Sequence, residues 1–310
     1  MENNNKISII IVNYNGQEFL SDCLESVLKS DYPSYEVILV DNNSSDESVN
    51  IVKNKFPQIK IIINKKNLGF AKANNIGIKQ VSGDAIFLLN NDTIIHKDLV
   101  KILSNELFSS EQIGMVGPKI YFLEKGKKPD NQKTIWFAGG KINWQKATSW
   151  HIAKNQDDNN YIDEKKEVDF ITGCALMIKK EVINKIGLLD EKFFAYYEDA
   201  DWCLRAKKAG YKIIYIPFGG VWHIKSATAS RYIFNKNNKK IKIIFEYLRN
   251  LNRLKYNKYK NNFIFYWRYV AIKYRIKLLI NFIFIKTPIF IYSILMLSQI
   301  SLIKIIKKHL

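Results

Sequence analysis

A doubly wound α/β sheet is the fold that the first hundred residues predict, on three observations. Runs of aliphatic and β-branched residues recur at similar intervals, apolar segments of helical period lie between them, and the runs end in Asn or Asp. The first run, Ile7–Val12, is broken only by Ser8, as in a strand buried on both faces, and it stops at Asn13-Tyr14-Asn15-Gly16. Phe19, Leu20, Cys23, Leu24, Val27 and Leu28 then keep helical spacing up to Asp31-Tyr32-Pro33. Glu36–Val40 reads as the second strand, closing on Asp41-Asn42-Asn43-Ser44-Ser45, and Val49–Phe56 as a helix stopped by Pro57. Lys60–Ile63 is a third strand ending at Asn64, and Gly69 to Lys79 a loop running into a helix. Ala85–Leu89 is a fourth strand, ending in Asn90-Asn91-Asp92. Alternation of this kind places a mostly parallel sheet between helices.

The second half is less regular. Gly114–Ile120 reads as a strand, and residues 124–131 and 154–167 as polar excursions, the latter mobile. Val168–Ile178 reads as a strand interrupted at Thr172-Gly173, where glycine lets backbone approach a ligand. Phe193–Tyr197 leads into a helix from about Glu198 to Lys208, with Gly210 as its left-handed cap. Lys212–Ile216 is a further strand, and Val221-Trp222-His223 follows a Gly-Gly pair.

Composition narrows the function classes. A hydrophobic share of 47% with 13% aromatics excludes wholesale disorder. Cys23, Cys174 and Cys203 form no metal or redox spacing and read as reduced, buried residues of a cytoplasmic protein. Met1–Lys6 is polar and leads straight into a strand, so no cleavable secretory signal is expected. Residues 231–310 hold 18 Lys/Arg and one acid, Glu246, and thus carry +17 of the formal +19. The nearly neutral remainder argues against a phosphate-binding surface there, so no nucleic-acid partner is expected.

Within the tail, residues 241–302 interleave Ile, Phe, Tyr, Leu and Trp with Lys and Arg as far as Lys286. Thr287–Ile303, the longest uncharged stretch at 17 residues, contains Pro288 and is at the short limit for spanning a bilayer. A basic amphipathic helical tail lying on an anionic membrane surface is the expectation. A helical subdomain packed on protein and a span by 287–303 are its rivals.

Ligands of open α/β sheets bind outside the carboxyl ends of the strands. Asn13–Asn15, Asp41–Asn43 and Asn90–Asp92 all fall at such ends. Any one of them is an ordinary turn; three on one edge predict a ligand site.

Seven segments then appear in a fixed order. They are ISIIIVNYNG (7–16), VILVDNNSSD (37–46), NLGFAKANNIGI (67–78), IFLLNNDT (86–93), FITGCALMIKK (170–180), LLDEKFFAYYEDADWCLRAKKAGY (188–211) and VWH (221–223). The ordered set, over about residues 5–230, resembles the family-2 glycosyltransferases of the GT-A fold, particularly the branch containing rhamnosyltransferases. The resemblance implies a catalytic domain over 1–230, with a nucleotide-sugar-binding half (about 1–100) and an acceptor half (101–230), followed by the 231–310 tail.

It also implies roles. Asp41 would accept a hydrogen bond from the nucleotide base, with Asn13 and Tyr14 bordering it. Asn67, Leu68 and Gly69, with Asn74 and Asn75 beyond, would line the floor around ribose and sugar, and Gly173 would also belong to the nucleotide-sugar site. Asn90-Asn91-Asp92 occupies the place of the metal-binding Asp-x-Asp motif, with Asn90 replacing its first acid. Asp92 and His223 would hold a divalent cation, Mg2+ or Mn2+, against the diphosphate leaving group. Inverting transfer needs a base for the acceptor hydroxyl: Asp199, with Glu198 as second candidate, beside aromatic walls from Phe193–Tyr197. Asp201 is read instead as an ion-pair partner of Arg205, four residues on.

The implied donor is dTDP-rhamnose, or else a UDP-hexose. The implied acceptor is a glycan or lipid-linked hydroxyl in cell-surface glycan synthesis, met by a cytoplasmic enzyme held peripherally at the inner face of the membrane. The rivals are a non-catalytic relative, a sugar nucleotidyltransferase, and a basic-tail nucleic-acid-binding protein. The nucleotidyltransferase reading expects a basic glycine-rich loop after the first strand, where Asn13–Gly16 has neither Lys nor Arg.

Overall fold

Burial of the four aliphatic runs builds the first part of the sheet. The computed structural model describes residues 5–129, 133–161, 163–224, 240–280 and 282–283. Strands β1 (Ile7–Asn13), β2 (Tyr35–Asp41), β3 (Lys60–Ile63) and β4 (Ala85–Asn90) alternate with helices α1 (Leu20–Leu28), α2 (Ser48–Lys55) and α3 (Phe70–Ile78). All their pairings are parallel, with Asn13 opposite Asp41 and Val12 opposite Asn90. Because β4 pairs with the far side of β1, the chain reverses direction across the sheet there, and the carboxyl ends of β1, β2 and β4 form one edge.

The second half extends the same sheet. Its strands are β5 (Thr93–Ile95), β6 (Ile113–Leu123), β7 (Ile135–Phe137), β8 (Gly140–Asn143), β9 (Thr148–His151), β10 (Lys166–Glu167), β11 (Ala175–Lys179) and β12 (Lys212–Ile224). The order is β10-β12-β6-β11-β4-β1-β2-β3, with β5 added to β12 and β7 to β6, while β8 and β9 pair separately. Helices α4 (Leu99–Leu107), α5 (Lys180–Ile186) and α6 (Glu198–Lys208) complete this part.

Two expectations are corrected. The strand expected over Val168–Ile178 is in the sheet only from Ala175, since residues 168–174 carry the chain from β10, at one edge, to β11, between β6 and β4. The turn at Thr172–Ala175, closed by Ala175 N–H to Thr172 O at 3.2 Å, delivers β11 antiparallel to β4. The 154–167 excursion is anchored: buried Lys119 places Nζ 2.5 Å from Asp158 Oδ1 and 3.0 Å from Asp163 Oδ2. Tyr121 and Tyr215 hydroxyls donate to the same two carboxylates, which a buried ammonium needs if it is to stay charged.

The chain divides into two units, the first comprising Met1–Lys141, Ser149–Phe194 and Glu198–Lys225. The second takes Ile142–Thr148, Ala195–Tyr197 and Ser226–Leu310. It contains helix α7 (Lys240–Tyr269) and the short α8 (Arg275–Ile280). Its core is aromatic: Trp144 stacks on Phe265 at 6.0 Å and meets Tyr266 edge-on. Among the described residues no helix is long and apolar enough to cross a membrane. Residues 287–303, weighed above as a span, lie outside the described residues.

Candidate active site

At the β1–β2 end of the carboxyl edge, Asn13 is wholly buried and joins several groups. Its Nδ2 donates to Asp41 Oδ1 (2.9 Å), Ser44 Oγ (3.0 Å) and Ser48 Oγ (2.8 Å), and its Oδ1 accepts from Asn91 Nδ2 (2.6 Å). Asp41, also buried, accepts further bonds from the Ser44 hydroxyl and backbone N–H. Tyr14 follows, half-buried. The structure therefore brings Asn13, Asp41 and Asn91 into one network whose bonds lock three strand ends together.

A second network surrounds Asn42, which sequence reasoning noted only as part of a turn cluster. Its Nδ2 donates to Asn67 Oδ1 (3.0 Å) and Gly69 O (3.2 Å), and its Oδ1 accepts from Leu68 N–H (3.0 Å) and Asn64 Nδ2 (3.1 Å). One buried amide thus shapes the loop carrying Asn67, Leu68 and Gly69; only the repeated Asn spacing hinted at it. Gly69 has φ +82°, and a Cβ there would lie 2.5 Å from Phe194 O, so the position takes glycine alone. Asn74 and Asn75 are directed elsewhere. Asn74 Nδ2 donates to Phe70 O, while Asn75 bonds the backbone of Leu189 through both ends of its amide. Asn75 clamps the 189–191 loop and is not joined to the other site residues.

The acids gather where β4 ends and β11 begins. Asn90, half-buried, bonds through its backbone N–H to Cys174 O at 3.0 Å, so Gly173 lies beside the Asn-Asn-Asp segment. The Gly173 N–H donates to Asp199 Oδ2 (2.9 Å), and the Ala200 N–H to Asp199 Oδ1 (2.8 Å). A Cβ on Gly173 would meet the Phe70 ring at 2.9 Å, so a side chain there would press on the start of α3. Desolvation raises the Asp199 carboxyl above its ordinary value even though these N–H groups pull it back. Glu198, buried beside it, is pushed well up by desolvation and then by the Asp199 charge, and its Oε2 has no hydrogen-bond partner among the described residues. Asp201 plays the structural part expected of it, with Oδ2 2.9 Å from Arg205 Nε. Burial also pushes the Cys23 and Cys203 thiols up to about 12, which leaves them inert at neutral pH.

Next to this cluster, β12 returns beside β5 with His223 opposite Thr93. His223 Nε2 lies 3.3 Å from Asp92 Oδ1. The Trp136 ring packs against the imidazole at 4.6 Å, and the buried Nδ1 of His223 has no hydrogen-bond partner among the described residues. Among the described residues no group of three or more His, Cys, Asp or Glu converges on a metal position. The Asp92–His223 pair nonetheless fits part of a set: ligands on adjacent corners of an octahedral cation are about 3 Å apart for bonds of about 2.1 Å. Diphosphate oxygens and water are the customary remaining ligands of such a cation.

In the segment leading to the acids, Tyr196 and Tyr197 both have positive φ, +74° and +75°. Bulky residues rarely enter this region, and each such residue costs roughly 1–3 kcal/mol. Nothing in the sequence marked them.

A sheet that reverses strand order at β1/β4, with Asn and Asp along its carboxyl edge, defines a doubly wound α/β protein, here in the GT-A arrangement. The family model described as Glycosyl transferase family 2 matches residues 8–187, over half of the sequence, and the chain belongs to that family. An uncharacterized glycosyltransferase of Rickettsia prowazekii is 29% identical over 202 residues, covering 63% of this chain and 56% of that protein. The chain thus spans little more than half the length of that relative. The N-acetylglucosaminyl-diphospho-decaprenol L-rhamnosyltransferase of Mycobacterium tuberculosis is 24% identical over 241 residues, covering 73% of this chain and 78% of that protein. A mannosyltransferase from Pyrobaculum calidifontis, solved with GDP-Man and Mn2+, superposes with TM-score 0.54 at 16% identity, over 87% of this chain and 66% of that one, a likeness of fold.

Proposed function

We propose that the chain is an inverting glycosyltransferase that moves a single sugar from a nucleotide-sugar donor to a hydroxyl of a glycan or lipid-linked acceptor in cell-surface glycan synthesis. One observation carries the reading. Asp199 is bonded to the Gly173 N–H at the start of β11, and β11 is registered against β4, whose end leads to Asp92 and His223. A basic group and a diphosphate-facing pair on one sheet edge is what in-line displacement at an anomeric carbon requires.

In this reading Asp199 takes the proton of the acceptor hydroxyl as that oxygen attacks the anomeric carbon, and the nucleoside diphosphate leaves from the opposite face. The raised Asp199 carboxyl suits a base, because a carboxylate near its ordinary value would hold the proton too weakly. Glu198, buried against it, disfavours a second charge and keeps the pair's proton affinity high. Asn13 and Asp41, with the Asn42-shaped loop Asn67–Gly69, provide a rigid seat for the nucleotide. Asp92 and His223 are the residues that would hold Mg2+ or Mn2+, whose charge, when bound, neutralises the leaving diphosphate.

The likeness to the mycobacterial enzyme favours dTDP-rhamnose as donor, with a UDP-hexose next. The basic tail favours residence at the inner face of an anionic membrane, where lipid-linked acceptors are found. Thermal-shift measurement with UDP-, GDP- and dTDP-sugars, each with and without Mn2+ or Mg2+, tests the proposal. A cation-dependent rise in Tm for one nucleotide class is expected; no shift with any of them contradicts it.

A further inference from the structure

An imidazole that ligates a cation through one nitrogen is ordinarily oriented by a hydrogen bond from the other. His223 holds Nε2 3.3 Å from Asp92 Oδ1, while its buried Nδ1 has no hydrogen-bond partner among the described residues. We infer that Trp136 is a positioning residue for the cation: its indole, packed on the imidazole, keeps His223 turned toward Asp92 in place of that bond. The inference rests on the reading of Asp92 and His223 as cation ligands and adds β7 and the 151–158 segment to the machinery.

Reach explains why a large side chain stands at 136. Strand β6 pairs with β12 along Ile113–Leu123 on one edge, and with β7 through Ile120 and Tyr121 on the other. Neighbouring strands are about 4.8 Å apart, so β7 and β12 are separated by about 10 Å, a gap that a short side chain leaves open. Ile135 and Phe137 are buried, and the alternation of a strand turns Trp136 to the opposite face. There its half-buried ring meets His223 at 4.6 Å, with the planes inclined by 37°. That separation is within the range of favourable aromatic pairs. The χ2 torsion of histidine is intrinsically broad, so an unsupported ring would swing Nε2 away from Asp92. Packing on the ring face restrains that torsion without occupying either nitrogen.

The 151–158 segment braces β7 in turn. His151 Nδ1 donates to Trp136 O at 3.2 Å, and its ring meets Trp136 and Phe137 edge-on, each at 4.9 Å. Beyond it the chain runs beside β7: Ile135 N–H donates to Gln156 O, Asn155 N–H to Ile135 O and Asp158 N–H to Lys133 O. Asp158 then closes on buried Lys119 of β6 and accepts from the Tyr121 hydroxyl at 2.7 Å, while the Tyr121 ring packs on Trp222 at 5.8 Å. The Lys119–Asp158 pair therefore supports two rings next to His223, Trp136 in space and Trp222 in sequence. A buried ion pair adds little net stability, which suits a geometrical role.

Full-length Trp136→Ala and Trp136→Phe variants test this with and without the cation. In metal-free protein, carbethoxylation of His223 by diethyl pyrocarbonate, followed on the 213–225 tryptic peptide, should quicken at least threefold in Trp136→Ala. The rate at His96, on the 80–97 peptide, should be unchanged. Mn2+ affinity in saturating UDP or dTDP, read from the paramagnetic resonance of free Mn2+, should fall at least fivefold, with nucleotide affinity in EDTA within twofold of wild type. Trp136→Phe keeps a ring of shorter reach and should fall between wild type and alanine in both measurements. An unchanged His223 rate overturns the inference, as does a quickened rate with wild-type Mn2+ affinity, or an equal loss of nucleotide affinity in EDTA. Should Trp136→Ala not fold, Trp136→Phe decides: a loss of at least twofold in Mn2+ affinity is expected, and wild-type values overturn the inference. Wild-type protein that binds no Mn2+ alongside either nucleotide, or Mn2+ binding that survives Asp92→Ala, defeats the reading of the cation site instead. The metal-free His223 rate then still decides whether Trp136 fixes the imidazole.

Discussion

At the β1–β2 end of the carboxyl edge, Asn13, Asp41, Ser44, Ser48 and Asn91 bond one another within the protein. At the β4–β11 end, Glu198 Oε2 and His223 Nδ1 are buried without hydrogen-bond partners among the described residues, and the carboxyls of Glu198 and Asp199 are raised. Buried polar groups at the two ends thus do two kinds of work. Where buried polar groups satisfy each other they fix strand ends, as the proposed nucleotide seat requires. Where they are left partly unsatisfied, stability is given up and proton affinity is gained, which is what a reacting centre needs.

Substitutions at the two ends should therefore fail differently. The largest effect is expected for Asp199→Asn: kcat should fall by about 10²–10⁴-fold, while nucleotide affinity stays within twofold. A variant that loses affinity in parallel would make Asp199 part of the seat. Asn13→Ala should do the opposite. It leaves the groups around it without partners, and a loss of roughly 3 kcal/mol corresponds to a Tm lowered by roughly 6–12 °C in a thermal melt. A Tm within a degree of wild type would erase the contrast between the two ends.

Asp92→Ala should lower the Mn2+-dependent part of nucleotide affinity by about tenfold, with affinity in EDTA unchanged; equal affinities with and without the cation in wild type would remove Asp92 from that role. The smallest effect is expected for Glu198→Gln. The folded protein raises this carboxyl above its ordinary 4.5, so its stabilising contribution is complete below that pH and is lost as pH rises toward the folded value. Replacing it should leave Tm unchanged near pH 4 and raise it by roughly 2–4 °C at neutral pH. A lower Tm at neutral pH would mean that Glu198 has a partner there.

The parallel strands were legible because each is a continuous aliphatic run ended by Asn or Asp, and helix α6 because Gly210, at φ +93°, terminates it. Strand β11 is shorter than its apolar run suggests: Val168, Phe170 and Ile171 are buried like strand residues, yet they serve the crossing from β10. Asp199, Asp92 and His223 were named from motif order. What motif order could not convey is direction, so Asn75, in the same motif as Asn67, belongs to the Leu189 clamp. The Asn42 hub depends on partners far along the chain, and the carbonyls of Ala195 and Tyr196 accept from the equally distant Asn261. Local sequence carries no trace of such distant causes.

The pH dependence of kcat at saturating donor and acceptor tests the central claim most directly. A buried base must be ionised to act, so the rate should fall as pH drops through the macroscopic value of the Glu198–Asp199 pair. The midpoint of that acidic limb should lie clearly above 3.8, the ordinary aspartate value, and the limb should vanish from the residual activity of Asp199→Asn. A limb centred at the ordinary value, or one that persists unchanged in the variant, would contradict the assignment of the chemistry to this end of the sheet.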